Sequence, residues 1–161
     1  MSLVSQPLWR AGFRPFFALA CLAGLSLPIA WILIFKGVLP APAQHFSPVQ
    51  WHAHEMFFGF GWAVLGGFLL TSTKNWVGVR GYHGSTLMFL AAAWVIERIG
   101  MSFGGGWPLP LFLLSNNLFL CSIVVLLLAT LIRNRDKDSY RRDNVFFLIV
   151  LPLFWVAKTL L

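Results

Sequence analysis

The sequence predicts an all-α, polytopic membrane protein of five transmembrane helices with its N-terminus in the cytoplasm. Three observations predict it. Of 161 residues, 58% are hydrophobic and only 11% charged, against about 45–50% apolar and ~25% charged in a soluble domain. The mean hydropathy is +0.77. The apolar residues run in five long blocks without a regular polar face, and the basic residues gather in alternate connections between those blocks. A membrane β-barrel would instead show ~10-residue segments of alternating polarity. The whole chain, 1–161, reads as one helical membrane domain.

A stretch of about 20 apolar residues crosses the ~30 Å hydrocarbon core. Block one, Phe16 to Phe35, stops at Lys36. The Ala41-Pro42-Ala43 stretch after it has the form of a signal-peptide cleavage site. Block one is longer than the usual 7–15-residue signal core, so a retained helix is expected. Block two, Met56 to Thr73, stops at Lys74; block three, Ser85 to Phe103, is interrupted by Glu97 and Arg98. Block four, Pro110 to Ile132, stops at Arg133, and block five, Val145 to Leu161, has only 17 residues and carries Lys158. Cys21 and Cys121 lie inside blocks one and four, where buried packing is the expected role and no disulfide is available.

Orientation follows from the positive-inside rule. Arg10, Arg14, Lys74, Arg80, Arg133, Arg135, Lys137, Arg141 and Arg142 all fall on the face that holds the N-terminus; Lys36 and Lys158 fall on the other. This asymmetry accounts for the net charge of +7, so nucleic acid is not needed as a partner; the bilayer is. It also places the polar residues at membrane depth. Helix two enters from the outer face with Trp51-His52-Ala53-His54-Glu55-Met56 at its mouth. Glu97 on helix three and Asn116 on helix four each lie about 9 Å below that face. A site, if present, faces the periplasm or the exterior.

Positions three and four apart share a helix face. His52, Glu55, Met56 and Gly59 therefore form a stripe that continues through Ala63 and Gly67, a small-xxx-small pattern that lets membrane helices approach closely. His54 is expected to point away from it. Imidazole suits heme iron and copper, and a thioether such as Met56 suits Cu(I). The same groups suit a proton relay, or simple anchoring of the helix end. An ionisable residue at membrane depth costs ~2.5–3.5 kcal/mol, and the density of such groups here favours function. Glu97 and Arg98 are neighbours about 100° apart on a helix and are not expected to face each other. Arg98 is expected to pair with Glu55, or to hold a heme propionate through its fork. Asn116 and Asn117 are expected to hydrogen-bond between helices or donate to a ligand. His45 and His83 read as loop histidines.

Arg14-Pro15-Phe16-Phe17, then Trp51-His52-Ala53-His54-Glu55-Met56, Gly59-Phe60, Gly67-Phe68-Leu69-Leu70-Thr71 and Asn75-Trp76 resemble, in order and spacing, the N-terminal part of the NnrS family. The resemblance covers roughly residues 10–80, and its specific element is the His-x-His-Glu-Met block. It implies a heme- and copper-containing protein of the bacterial inner membrane, linked to the nitric oxide response and nitrosative-stress tolerance. It carries His52, His54 and Glu55 over as site residues; Met56 as a metal ligand and Arg98 as a cofactor contact come from the physical reading above. Members of that family are longer, which implies a second subunit or a homo-oligomer to complete the site. No catalytic residue is assigned. Two competing readings are a proton- or metal-coupled transport module using Glu55, His52 and Arg98, and a truncated, non-catalytic membrane scaffold.

Overall fold

A computed structural model describes residues 6–40, 42 and 46–160, with the side chain of Leu160 excepted. Ala41, Ala43 and His45, which include two positions of the expected cleavage motif and one loop histidine, lie outside the described residues. Five long helices result: α1 (Phe13–Phe35), α2 (Pro48–Val77), α3 (Ser85–Phe103), α4 (Leu109–Arg133) and α5 (Arg141–Leu160). No strand occurs among the described residues. The chain is a multi-pass membrane protein, with one correction to the expected count. Among the described residues four helices, α1 to α4 (the third extended by a short turn to Gly106), are long and apolar enough to cross a membrane. Helix α5 is long enough, but Arg141, Arg142 and Asp143 open it and Lys158 lies near its end. Those charges remove it from the set.

Boundaries follow local chemistry. Pro48 occupies the first turn of α2, where a missing N–H costs nothing. Ser47 and Gln50 form a capping box: the Gln50 N–H donates to Ser47 Oγ at 3.2 Å and the Ser47 N–H to Gln50 Oε1 at 2.9 Å. The helix ends at Gly78, whose φ of 65° is the left-handed conformation that suits glycine. Helix α2 is not uniform. Pro48–His54 and Trp62–Val77 are α-helical, while Glu55–Gly61 between them winds as a π-helix.

That π segment decides which residues face inward. The buried positions pair as His54 and Glu55, Phe58 and Gly59, Trp62 and Ala63, and Gly66 and Gly67. Steps of four drift by about 40° each on an ideal α-helix, and the wider i→i+5 turn absorbs the drift. The expected inner stripe of Glu55, Gly59, Ala63 and Gly67 is present. Its flank is His54, Phe58 and Trp62 rather than His52 and Met56, both of which are half-buried.

Close packing uses the small residues as anticipated. A Cβ on Gly67 would lie 2.8 Å from the Cβ of Phe16 in α1, and one on Gly66 would lie 2.7 Å from Ile123 Cδ1 in α4. The core holds Phe16, Trp62, Leu69, Leu70, Leu87, Phe119 and Ile123. Helix α1 contributes one face only, through Phe16, Ala20, Ala23 and Leu27, and leaves Leu22, Leu25, Ile29 and Ile32 exposed. Cys21 lies on the outward side and is exposed, correcting the expectation of burial; Cys121 is half-buried. A hydrocarbon solvent accepts such an outer surface, whereas a monomeric soluble protein rarely carries one.

Candidate functional site: a buried ion cluster beside an aromatic cleft

The helix ends remote from the N-terminal segment converge at one place. There Glu55 of α2 and Glu97 of α3 are each 0% exposed, and Lys158 of α5 is 2% exposed. The Arg98 guanidinium joins them. Its Nη1 donates to Glu55 Oε2 at 2.9 Å, as the shared depth and opposite charge predicted. Its Nη2 donates to Glu97 Oε1. This second contact corrects the expectation that adjacent residues on a helix do not meet. The angle between their Cβ directions is not in question, but the arginine arm is long enough to curl back to its neighbour.

Lys158 completes the cluster and was not anticipated as a member. Its Nζ donates to the same Glu97 Oε1 and to the Asn116 carbonyl of α4. Two carboxylates therefore meet two cations, so the formal charge of the four groups is zero. Buried ions survive in a low dielectric only when paired and hydrogen-bonded. Flat aromatic faces supply further contacts: Arg98 lies 5.5 Å from the Trp94 ring centroid and Lys158 5.2 Å from that of Phe58. The signal for Lys158 was its place near the outer end of the last helix, level with Glu97 and Asn116. Reading it as a terminal surface charge hid that coincidence.

The π segment builds the floor under this cluster. Trp94 Nε1 donates to the Gly59 carbonyl at 2.9 Å. A Cβ on Gly59 would collide with Arg98 Nη1 and lie 3.2 Å from Glu55 Oε2. Glycine at 59 is therefore what admits the guanidinium.

The two histidines of the His-x-His block take different surroundings. His52 stacks on Trp31 of α1, with centroids 4.6 Å apart and planes at 15°. His54 is 6% exposed and sits against Phe58 at 5.0 Å and Phe46 at 6.2 Å. Its Nδ1 approaches Glu55 Oε1 at 3.4 Å. Its Nε2 is buried without a hydrogen-bond partner, as are His52 Nδ1, Arg98 Nε, Glu97 Oε2 and Asn116 Oδ1. The Asn116 side chain interacts with the His54 ring, but not in hydrogen-bond geometry. Asn117, rather than Asn116, makes the interhelical side-chain bond, its Oδ1 accepting from Trp155 Nε1 at 3.1 Å.

Beside His54 opens a cleft of about 510 Å³, walled by Phe46, Phe57, Phe58 and Phe154 with Ala53 and Ala157. That volume falls in the range of small-molecule sites, about 300–1,000 Å³, and such sites are mostly apolar with a few placed polar groups. One imidazole with a ring nitrogen outside any hydrogen bond, at an aromatic wall, is a donor of the kind that would hold heme iron. Copper finds less. His52 and His54 lie about 200° apart on a regular α-turn, and no group of three His, Cys, Asp or Glu side chains suited to a metal occurs among the described residues. Both Arg98 terminal nitrogens are engaged by carboxylates.

With this geometry in hand, comparison with known proteins adds one finding. The NnrS protein family model matches residues 7–161, so the chain belongs to that family, and the match extends well past the residues that carry the motif. No curated protein and no solved structure matches.

Proposed function

We propose that this member of the NnrS family is a heme-binding protein of the bacterial inner membrane that serves the nitric oxide response, with His54 as the iron ligand. The observation that carries the reading is the buried Nε2 of His54, which lies beside the aromatic cleft and outside hydrogen-bond geometry to any neighbour. Heme held there by His54 would supply the chemistry of binding a diatomic ligand such as nitric oxide.

The chain's own residues prepare that imidazole. With the proton on Nδ1 facing Glu55 Oε1, the Nε2 lone pair is left for a metal. A second partner on the far ring nitrogen is the usual way a ligating histidine is oriented. Glu55 is itself held by Arg98. His54, Glu55 and Arg98 thus form a chain in which the guanidinium fixes the carboxylate and the carboxylate fixes the ring. Phe46, Phe57, Phe58 and Phe154 give the cleft an aromatic lining that suits a flat macrocycle. The proposal extends to copper, to nitrosative-stress tolerance and to a second subunit or a second copy of the chain completing the site, all supported by family membership; His52 and Met56 are the copper candidates, since imidazole and thioether suit that metal.

Visible spectroscopy of the detergent-purified protein tests the reading. A Soret band is expected, lost in His54→Ala and retained in His52→Ala, with copper measured by elemental analysis of the same samples. A preparation with neither band nor copper overturns it, as does a band indifferent to His54.

A second reading draws on the continuous line from His54 through Glu55, Arg98 and Glu97 to Lys158. Intramembrane ionisable residues in such lines mark proton pathways. Proton flux in proteoliposomes, abolished by Glu55→Gln, would favour it over the first.

A further inference from the structure

The opposite end of the bundle holds a cleft that the reading above does not use. It has a volume of about 210 Å³ and lies between the connection after α2 and the last turns of α4. Arg80 enters it from the connection and Arg133 from α4. Both are exposed. Neither pairs with a carboxylate among the described residues, and no acidic side chain lines the cleft. The neighbouring depression differs: there Arg135 and Arg141 share the lining with Asp138.

The wall between the two arginines is fixed. Tyr82 Oη donates to the Leu126 carbonyl at 3.0 Å and lies 2.8 Å from Thr130 Oγ1, which donates to the same carbonyl at 2.9 Å. Asn134 Nδ2 donates to the Thr130 carbonyl at 2.9 Å. These bonds tie the Tyr82, Thr130 and Asn134 side chains to the backbone of α4 and leave the two guanidiniums as the cleft's charged donors. Helices α2 and α4 both end here, each contributing about half a negative charge. Two guanidiniums exceed that sum, so the cleft is net positive. A planar fork of N–H donors matches phosphate oxygens in pairs, and basic pockets between membrane helices take lipid headgroups.

We propose that the Arg80–Arg133 cleft binds a phosphate group, presented by an anionic phospholipid headgroup or by a soluble phosphate. The test uses the full chain in a neutral detergent, with the unfolding midpoint followed against phosphatidylglycerol in one series and inorganic phosphate in another. A saturable rise is expected. The combined Arg80→Gln and Arg133→Gln change should raise the half-saturating concentration about thirtyfold. Arg135→Gln with Arg141→Gln should leave it within a factor of two. A response to phosphatidylglycerol alone identifies the headgroup; a response to both identifies the phosphate itself. Native mass spectrometry of the unaltered protein should retain one phospholipid. Absence of saturation by either probe, or a half-saturation indifferent to Arg80 and Arg133, overturns the proposal.

Discussion

The two ends of the bundle treat charge in opposite ways. At the His54 end Glu55, Glu97 and Lys158 are buried, Arg98 is half-buried, and the four are joined across three helices. At the Arg80 end Arg80, Arg133, Arg135, Arg141 and Arg142 are all exposed, and none has a salt-bridge partner among the described residues. The difference teaches what limits each. Water solvates a surplus of one sign, so the exposed end carries whatever topology demands. A low-dielectric interior admits charges only as a balanced set. The same residue types therefore carry unlike energetic weight: at one end each depends on the others, at the other each stands alone.

The sharpest way to break the comparison is to remove one charge from the balanced end. Glu97→Gln removes the carboxylate charge that Lys158 and Arg98 share, leaving Lys158 without an anionic partner and Arg98 with Glu55 as its one carboxylate. Breaking a buried pair by deleting one partner costs about 3–5 kcal/mol, and denaturant unfolding in detergent should register a loss of that order. Adding Lys158→Met should return part of it, because the stranded cation goes too. A Glu97→Gln protein as stable as the parent would show that the cluster is not one unit.

Much of this was legible before any coordinates. Helices α1, α2 and α4 end close to Lys36, Lys74 and Arg133, where apolar runs stop, and the Glu55–Arg98 pair follows from sign and depth. The facing of the His-x-His block was not legible. A π turn has no residue signature of its own, and a uniform α-helix puts His52 on the inner stripe where the structure puts His54. The only trace was the four-residue spacing of Gly59, Ala63 and Gly67, read as a packing pattern rather than as a change of pitch. Lys158 was lost for a different reason. Whether a charge near a helix end snorkels or turns inward depends on what its neighbours present, and that depends on tertiary contacts with Glu97 and Asn116.

Glycine sharpens the comparison at intermediate cost. At Gly59 the constraint is space, because a Cβ there meets Arg98 and Glu55. Gly59→Ala should cost about 1–3 kcal/mol, the usual range for overpacking. At Gly78, by the exposed end, nothing lies within 4 Å and the constraint is the φ of +65°. Gly78→Ala should cost roughly 1–2 kcal/mol through backbone conformation alone. The two differ in rescue: Asn, which tolerates the left-handed region, should recover much of the loss at 78 and worsen it at 59. Unfolding midpoints of the four variants check this.

The smallest effect belongs to a lone charge at the exposed end. Arg142 opens α5, is exposed, and has no salt-bridge partner among the described residues. It also lies at the wrong terminus for the helix dipole, which favours anions there. Arg142→Gln strands no buried partner and opens no cavity. Its effect on the unfolding midpoint should stay within about ±0.5 kcal/mol, as for surface changes away from special features, and raising salt should move parent and variant alike because exposed charges are screened. A loss comparable to that of Glu97→Gln would mean that this end, too, is stabilised by pairing, and the contrast between the two ends would fail.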